Sequence, residues 1–311
     1  MRIVFLGSGS FAIPCFEALL DAGHDVAALV TQPDRQRGRG QAMASPPLRP
    51  VADRRGVPVL QPRRVREPEA QEAIARLRPQ LQVVVAFGQI LPRSVIDLAS
   101  LGTVNVHASL LPRLRGAAPI QWAIATGETE TGVTTMLIDE GLDTGPTLLA
   151  RRTSIGPEET AADLEPRLAR LGAEALVETV RGLAEGTLVA RPQDDTRATL
   201  APMLEKEDGQ VDWARAAAEI AHRARGFHPW PGAFTSHDGR LLKVLRVRDA
   251  PGAAVAAAPG TIVGVDPEGV TVACGDGTRL RLVEVQEESR RAMPAAAWAQ
   301  GARIRPGARL G

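Results

Sequence analysis

The chain has 311 residues, 44% of them hydrophobic and 23% charged, and a formal net charge of +1, which together favour a globular protein long enough for two domains. Its two cysteines, Cys15 and Cys274, lie far apart and without C-x-x-C or Cys/His spacing, which argues against a disulfide framework and against a zinc site. No run of about 18 apolar residues occurs, and the first apolar run is too short for a signal-peptide core, so we expect a cytoplasmic protein.

Apolar runs alternate with helical patterns over the first 190 residues. The runs are RIVFLGS, HDVAALVTQP, QVVVAFGQILP and GTVNVHASLLP, with helices expected near residues 11–22 and 68–77 and a long amphipathic helix in TAADLEPRLARLGAEALVETVRGLAEG. Such alternation predicts an α/β fold, with a Rossmann-like, mostly parallel, doubly wound sheet that helices cover on both faces.

The pattern changes near residue 191. Residues 191–208 are polar and interrupted by prolines, as in a linker, and residues 209–311 consist of strand-sized pieces separated by glycine-bearing turns. We therefore predict an N-terminal catalytic domain over 1–190, a linker over 191–208 and a small OB-like antiparallel β-barrel over 209–311. The last region has more basic than acidic residues, which permits a polyanionic partner.

The first strand leads into Gly7-Ser8-Gly9-Ser10-Phe11-Ala12, which fits the G-x-G-x-x-G/A fingerprint of dinucleotide-binding folds. A NAD site would place an acidic residue at the end of the second strand, where this chain has Thr31-Gln32-Pro33. The sequence thus predicts a tight turn without NAD chemistry.

A polar stretch, TQPDRQRGRGQAMASPPLRP, follows the second strand and is longer than most connections of its kind. It contains Arg35, Arg37 and Arg39. Long loops are commonly either functional or simply solvated, and composition alone does not separate these two interpretations.

The residues that could carry chemistry follow the strand TVNVH. Asn105 and His107 stand two apart and therefore point to the same side of the sheet, near its carboxyl edge. A later loop contains Asp139, Glu140 and Asp143. An amide donor, an imidazole and a carboxylate are the parts of an acyl-transfer site without a Ser or Cys nucleophile. A structural histidine, a turn-capping asparagine and a loop-stabilising aspartate remain the alternative interpretation.

NVHASLLPRLRGAAPIQ and the later GLDTG resemble the core of the folate-dependent formyltransferases. Within that superfamily, FLGSGSFAIP, TQPDRQRGRG, SPPLR and DW…FHPWPGAF resemble the methionyl-tRNA formyltransferases, over essentially the whole chain. One departure is that Gln41-Ala42 stand where this family commonly has lysines after GRG.

This resemblance implies transfer of a formyl group from 10-formyltetrahydrofolate to initiator methionyl-tRNA by a monomer, with no metal, no NAD and no membrane. It implies three catalytic residues, Asn105, His107 and Asp143. The expected folate-binding residues are Ser109, Leu110, Leu111, Pro112, Ala86, Phe87, Gly88 and Ile90. The expected tRNA-binding residues are Arg35, Arg37, Arg39 and Lys206. Two alternatives stay open: a formyltransferase acting on a nucleotide-linked amino sugar, and an RNA-binding protein with a degenerate enzymatic core.

Overall fold

The structure is a computed structural model that describes residues 1–37 and 42–311 and, for Arg37 and Ala42, the backbone alone. The chain forms two compact units. The first comprises Met1–Gly116, Glu130–Ser154 and Glu165–Ala201, and the second comprises Ala117–Thr129, Ile155–Leu164 and Pro202–Gly311. The boundaries drawn from the sequence, 1–190, 191–208 and 209–311, remain a prediction.

The first unit is built on a seven-stranded sheet. Its strands are β1 (Arg2–Gly7), β2 (Asp25–Val30), β5 (Val59–Leu60), β6 (Leu81–Val85), β7 (Thr103–His107), β8 (Glu130–Leu137) and β9 (Thr147–Ser154). Two further strands, β3 (Arg35–Arg37) and β4 (Ala42–Ala44), form a small separate hairpin. The sheet order is β5-β2-β1-β6-β7-β8-β9. The first five strands in this order, β5, β2, β1, β6 and β7, pair in parallel, and β8 and β9 are added antiparallel at one edge.

Helices cover both faces of this sheet because alternate apolar residues of its central strands point in opposite directions. The helices of the first unit are α1 (Ala12–Asp21), α2 (Arg49–Arg54), α3 (Pro68–Arg76), α4 (Arg93–Ile96) and, from Glu165 on, α6 (Ala161–Glu185), whereas α5 (Pro119–Ala125) belongs to the second unit. On β1, Val4 and Leu6 pack in one cluster with Ile74 of α3 and Val95 of α4. Phe5, on the opposite face, meets Phe16 of α1 edge to face, with ring centroids 5.3 Å apart.

The turn after β1 is tight for a steric reason. A Cβ on Gly7 would lie 2.6 Å from Cε1 of Phe5 and 2.9 Å from the carbonyl oxygen of Val85. Any side chain there would force the first strand away from its neighbour. Close packing therefore accounts for Gly7 of the fingerprint.

The polar stretch after β2, predicted only as a long loop, contains regular structure. β3 and β4 pair antiparallel, with Arg35 opposite Ala44, and α2 begins at Arg49. Asp34 anchors the stretch, because its carboxylate accepts hydrogen bonds from Gln61 Nε2 at 2.8 Å and from Arg49 Nη1 at 3.1 Å. The hydrogen bond from Gln61, with help from Arg49, lowers the pKa of Asp34.

The second unit contains an antiparallel sheet. Its strands are β10 (Ala233–His237), β11 (Arg240–Asp249), β12 (Ile262–Asp266), β13 (Gly269–Ala273), β14 (Arg279–Glu287) and β15 (Met293–Pro294), and its helices include α7 (Ala217–Gly226) and α8 (Ala295–Gly301). The order is β10-β11-β14-β13-β12, with β15 beside β14. Trp213, Trp298 and apolar residues of these strands form its core. The predicted class, a mostly parallel α/β sheet followed by a separate antiparallel sheet, is confirmed.

No helix in the described part of the chain is both long enough and apolar enough to cross a membrane.

Candidate active site

The carboxyl end of β7 carries Asn105 and His107. The register of β7 with its two neighbours fixes their position along the sheet. Asn105 pairs with Val84 of the parallel strand β6 and with Met136 of the antiparallel strand β8. His107 is 5% exposed, and Asn105 is half-buried. As the spacing predicts, both side chains point to the same side, because successive residues of a strand alternate.

Asp143 joins them from the loop between β8 and β9. Its Oδ1 lies 3.4 Å from Asn105 Nδ2, and its Oδ2 lies 3.5 Å from His107 Nδ1. The backbone N–H of Gly116 donates to the same Oδ2 at 2.9 Å. Asp143 has a φ of 53°, in the left-handed region that aspartate tolerates better than most residues. The structure therefore brings the three predicted catalytic residues together.

The hydrogen-bonding pattern assigns the protons of His107. Its Nε2 lies 2.8 Å from the carbonyl oxygen of Leu114, and a carbonyl can only accept, so Nε2 carries a hydrogen. In the neutral ring, Nδ1 then presents a lone pair toward Asp143. In the protonated ring, the second proton is on Nδ1 and points toward the Asp143 carboxylate. The side chains are 6% and 16% exposed, so water screens this pair little.

The segment after β7 is held against β8. Thr134 of β8 donates its hydroxyl to the carbonyl oxygen of Ser109 at 2.7 Å and accepts from the backbone N–H of Leu111 at 3.2 Å. The Ser109 hydroxyl donates to the carbonyl oxygen of Arg113 at 2.6 Å. Ser109 is fully buried, whereas Leu110, Leu111 and Pro112 are half-buried. The side chains of these last three are thus the accessible part of the predicted folate-binding segment.

The other predicted folate-binding segment follows β6. Ala86, Gly88 and Ile90 are exposed, Ile90 to 94%, while Phe87 is 2% exposed and belongs to the apolar cluster of α3 and α4. The carbonyl oxygen of Phe87 accepts from Ser8 Oγ at 3.3 Å and from Gln32 Nε2 at 3.1 Å. Phe87 therefore contributes to the fold both through its ring and through its carbonyl oxygen.

A cleft of about 460 Å³ lies beside this segment. It is lined by the turn Ser8–Ser10, by residues that follow β2, by residues around the end of β4, and by Ala86, Phe87 and Gly88. The carboxyl ends of parallel strands with a topological switch are the usual ligand site of open α/β sheets. Its size suits part of a heteroaromatic ligand.

The predicted tRNA-binding residues are dispersed along the chain. Arg35 is exposed on β3, in the first unit, and its Nη2 donates to Gln32 Oε1 at 3.0 Å. Arg37 ends β3, and Arg39 lies outside the described residues. Lys206 is exposed at the start of a short 3-10 turn, Lys206–Gly209, in the second unit.

Sequence reasoning missed several residues that hold the three predicted catalytic residues in place. Leu114 and Gly116 supply the backbone contacts to His107 and Asp143. Gln193, in the segment predicted as a linker, donates to the carbonyl oxygens of Asp143 and Gly145 at 2.8 and 2.7 Å. No periodicity or spacing marks a single glutamine in a polar segment, so nothing in the sequence could have singled it out.

Among residues 1–37 and 42–311, no cluster of three or more His, Cys, Asp or Glu side chains is arranged to hold a metal ion.

Comparison with known proteins identifies the two halves of the chain. A family described as formyl transferase matches residues 1–180, and one described as formyl transferase, C-terminal domain, matches residues 203–303. The chain is 53% identical over 311 residues to the methionyl-tRNA formyltransferase of Solibacter usitatus, across 100% of this chain and 99% of that protein. It is 53% identical over 306 residues to the methionyl-tRNA formyltransferase of Anaeromyxobacter dehalogenans, across 97% of each.

Among solved structures, the chain resembles WlaRD, a sugar 3N-formyl transferase, with a TM-score of 0.69 across 94% of this chain and 99% of that one. The sequence identity is 16%, so this likeness concerns the fold alone.

Proposed function

Because the chain belongs to the methionyl-tRNA formyltransferase family of formyl transferases, we propose that it transfers a formyl group from 10-formyltetrahydrofolate to the α-amino group of methionine on initiator methionyl-tRNA. This reaction prepares the initiator for protein synthesis in the cytoplasm. The observation that carries the proposal is the grouping of Asn105, His107 and Asp143 at the carboxyl edge of the sheet.

The proposed chemistry is direct transfer through a tetrahedral intermediate. The methionine amine attacks the formyl carbon on N10 of the folate, and the carbonyl oxygen becomes an oxyanion. Asn105 Nδ2–H and protonated His107 Nδ1–H are the donors that stabilise this oxygen. In the structure both donors face Asp143 at 3.4 and 3.5 Å, contacts long enough for their hydrogens to be shared with an oxyanion bound beside Asp143.

Asp143 completes the site in this proposal. Its carboxylate faces His107 Nδ1 and accepts the proton that the attacking amine loses, directly or through water. The proton passes to the leaving N10, so the products are formylmethionyl-tRNA and tetrahydrofolate. The bond broken is between N10 and the formyl carbon, and the bond formed joins that carbon to the methionine nitrogen.

Folate recognition is assigned to two segments. Ala86, Phe87, Gly88 and Ile90 offer main-chain groups and an exposed apolar side chain at the cleft edge, and Ser109–Pro112 follows His107 directly. A flat pterin ring needs apolar walls together with main-chain donors and acceptors, and these segments supply both. We assign the pterin to the segment after β6 and the remainder of the folate to the path toward Ser109–Pro112.

The tRNA is assigned to the polar stretch after β2, whose Arg35 also lines the cleft, and to surfaces of the C-terminal part of the chain. Arg35, Arg37 and Arg39 lie in the polar stretch after β2, and Lys206 lies near the start of the region matched by the C-terminal family. These residues, and the antiparallel domain over 209–311, are proposed to contact the RNA backbone, with a monomer binding one tRNA. The domain boundaries 1–190, 191–208 and 209–311 are part of the same proposal.

The proposal is tested by its acceptor specificity. Labelled 10-formyltetrahydrofolate is incubated with initiator tRNA charged with methionine and, in parallel, with uncharged tRNA and a nucleotide-linked amino sugar. We expect label only on the charged tRNA. Label on the sugar would keep the fold and the folate site but replace the acceptor, and label on none of the acceptors would overturn the enzymatic assignment.

A further inference from the structure

The side-chain amide of Gln193 has its orientation imposed by Arg115. Arg115 donates from Nε at 3.1 Å and from Nη2 at 2.8 Å to Gln193 Oε1. A guanidinium can only donate, so the amide oxygen must face it and the NH2 group must face away. That NH2 group donates one hydrogen to the carbonyl oxygen of Asp143 and the other to that of Gly145. Every hydrogen-bonding position of the amide is used.

The two carbonyls that Gln193 holds belong to a strained, crowded loop. Asp143 has a left-handed φ of 53°. A Cβ on Gly145 would lie only 1.9 Å from the carbonyl oxygen of Leu137, so the loop passes close against the end of β8. A residue in this backbone conformation persists only where its surroundings determine it. The Gln193 amide helps to fix this conformation, because it donates a hydrogen bond to the carbonyl oxygen of Asp143 itself.

Arg115 lies between the two residues whose backbones hold the catalytic side chains. Leu114, before it, accepts from His107 Nε2, and Gly116, after it, donates to Asp143 Oδ2. Its side chain is only 7% exposed, so its charge needs fixed partners, which are Gln193 and Asp195 Oδ1 at 2.7 Å. Its backbone is also bonded to the segment beyond Gln193, to Thr199 at 2.9 Å and to Ala201 at 2.7 Å.

We propose that Gln193, oriented by Arg115, is a positioning residue that sets the Asp143 carboxylate against His107 and so determines the rate of formyl transfer. This inference rests on the proposed function, since it assigns to Gln193 a role exerted through Asp143. Gln193 lies at the periphery of the catalytic group, and toward that group it contacts the backbone carbonyls of Asp143 and Gly145. Its effect therefore falls on turnover, with substrate binding left in place.

The test compares Gln193→Glu with the unaltered enzyme. Glutamate keeps the size of the side chain and the contact with Arg115, but its carboxylate cannot donate to the two carbonyls of the loop. We expect kcat to fall between about 10- and 100-fold, as for a catalytic group displaced by about 1 Å, with KM for folate and for charged tRNA changed less than about threefold. Asp195→Asn is the matched control, because it keeps an acceptor for Arg115, and its kcat should stay within about twofold.

A double-mutant cycle separates positioning from a general structural role. Single-turnover rates are measured with enzyme in excess for Asp143→Asn and for Asp143→Asn combined with Gln193→Glu. Since Gln193 acts through Asp143, the second substitution should slow the Asp143→Asn enzyme by less than about twofold. Gln193→Ala, which introduces no charge, repeats the cycle if the glutamate variant fails to fold, and thermal unfolding verifies the fold of each variant.

Two outcomes overturn the inference. Gln193→Glu and Gln193→Ala could both turn over at the normal rate, or the Gln193 substitution could slow the Asp143→Asn enzyme by the same factor as the unaltered one. Failure of the proposed function has a different signature, because the unaltered enzyme would then transfer no label to methionyl-tRNA.

Discussion

At the scale of single residues, Asn105 and His107 are the two donors assigned to the oxyanion. Loss of one oxyanion donor costs on the order of a hundredfold or more in rate. We therefore expect Asn105→Ala and His107→Ala each to lower kcat by at least that factor with the fold intact, measured by formyl transfer to charged tRNA and by circular dichroism. Glu140→Gln is the control, because Glu140 is an exposed carboxylate in the same loop as Asp143. Near-normal turnover of either alanine variant would contradict the assignment.

The two cysteines give a residue-scale prediction independent of function. Cys15 is fully buried and Cys274 is 2% exposed, and burial raises the pKa of each thiol to about 12. The reactive thiolate is therefore scarce and inaccessible at pH 8. A chromogenic disulfide reagent should titrate no thiol of the native protein within minutes and two after denaturation. Rapid reaction of either thiol in the native state would show that its surroundings open readily.

At the scale of elements, the start of α6 is held by a reciprocal cap. The Thr160 hydroxyl donates to Asp163 Oδ2 at 2.6 Å, and the Thr160 backbone N–H donates to the same oxygen at 3.1 Å. The Asp163 N–H lies 3.3 Å from the Thr160 hydroxyl. Replacement of such a cap by alanine costs about 1 kcal/mol. Thr160→Ala should therefore lower the free energy of unfolding in urea by about that amount at pH 7, with catalysis unchanged.

The same cap has a pH dependence of known sign. Hydrogen bonds from the Thr160 side chain and backbone lower the pKa of Asp163. A lowered carboxyl pKa stabilises the fold above the ordinary aspartate value and ceases to do so as the pH falls through the folded value. The stability difference between the native sequence and Thr160→Ala should thus narrow in acid. A difference that stays constant down to pH 2 would contradict this coupling.

At the scale of the whole molecule, a chain with a net charge of only +1 must attract a polyanion through local groups. We expect KM for charged tRNA to rise with salt and KM for folate to change little. Arg39→Ala should weaken catalysis with charged tRNA more than it weakens folate binding, and it should reduce the salt dependence. A KM for tRNA that does not vary between 50 and 300 mM salt, roughly, would overturn the electrostatic part of the proposal.

The fold class and the family could be predicted from the sequence alone, and so could the three residues proposed for catalysis. The alternation of apolar runs with helical spacing is visible within short stretches of sequence. It predicts the sheet, α1 near 11–22, α3 near 68–77 and the long α6. The two-residue spacing of Asn105 and His107 likewise predicts their common side, because strand geometry repeats every two residues.

The groups that hold these three residues in place follow from the tertiary structure. The N–H of Gly116, the carbonyl of Leu114 and the amide of Gln193 meet His107 and Asp143 because the sheet order and the β8–β9 loop bring distant segments together. Hydrogen bonds between residues 50 positions apart, as between Asp143 and Gln193, leave no periodic trace. Which residues pair in this way depends on which segments the fold brings together, and local sequence preferences do not specify that.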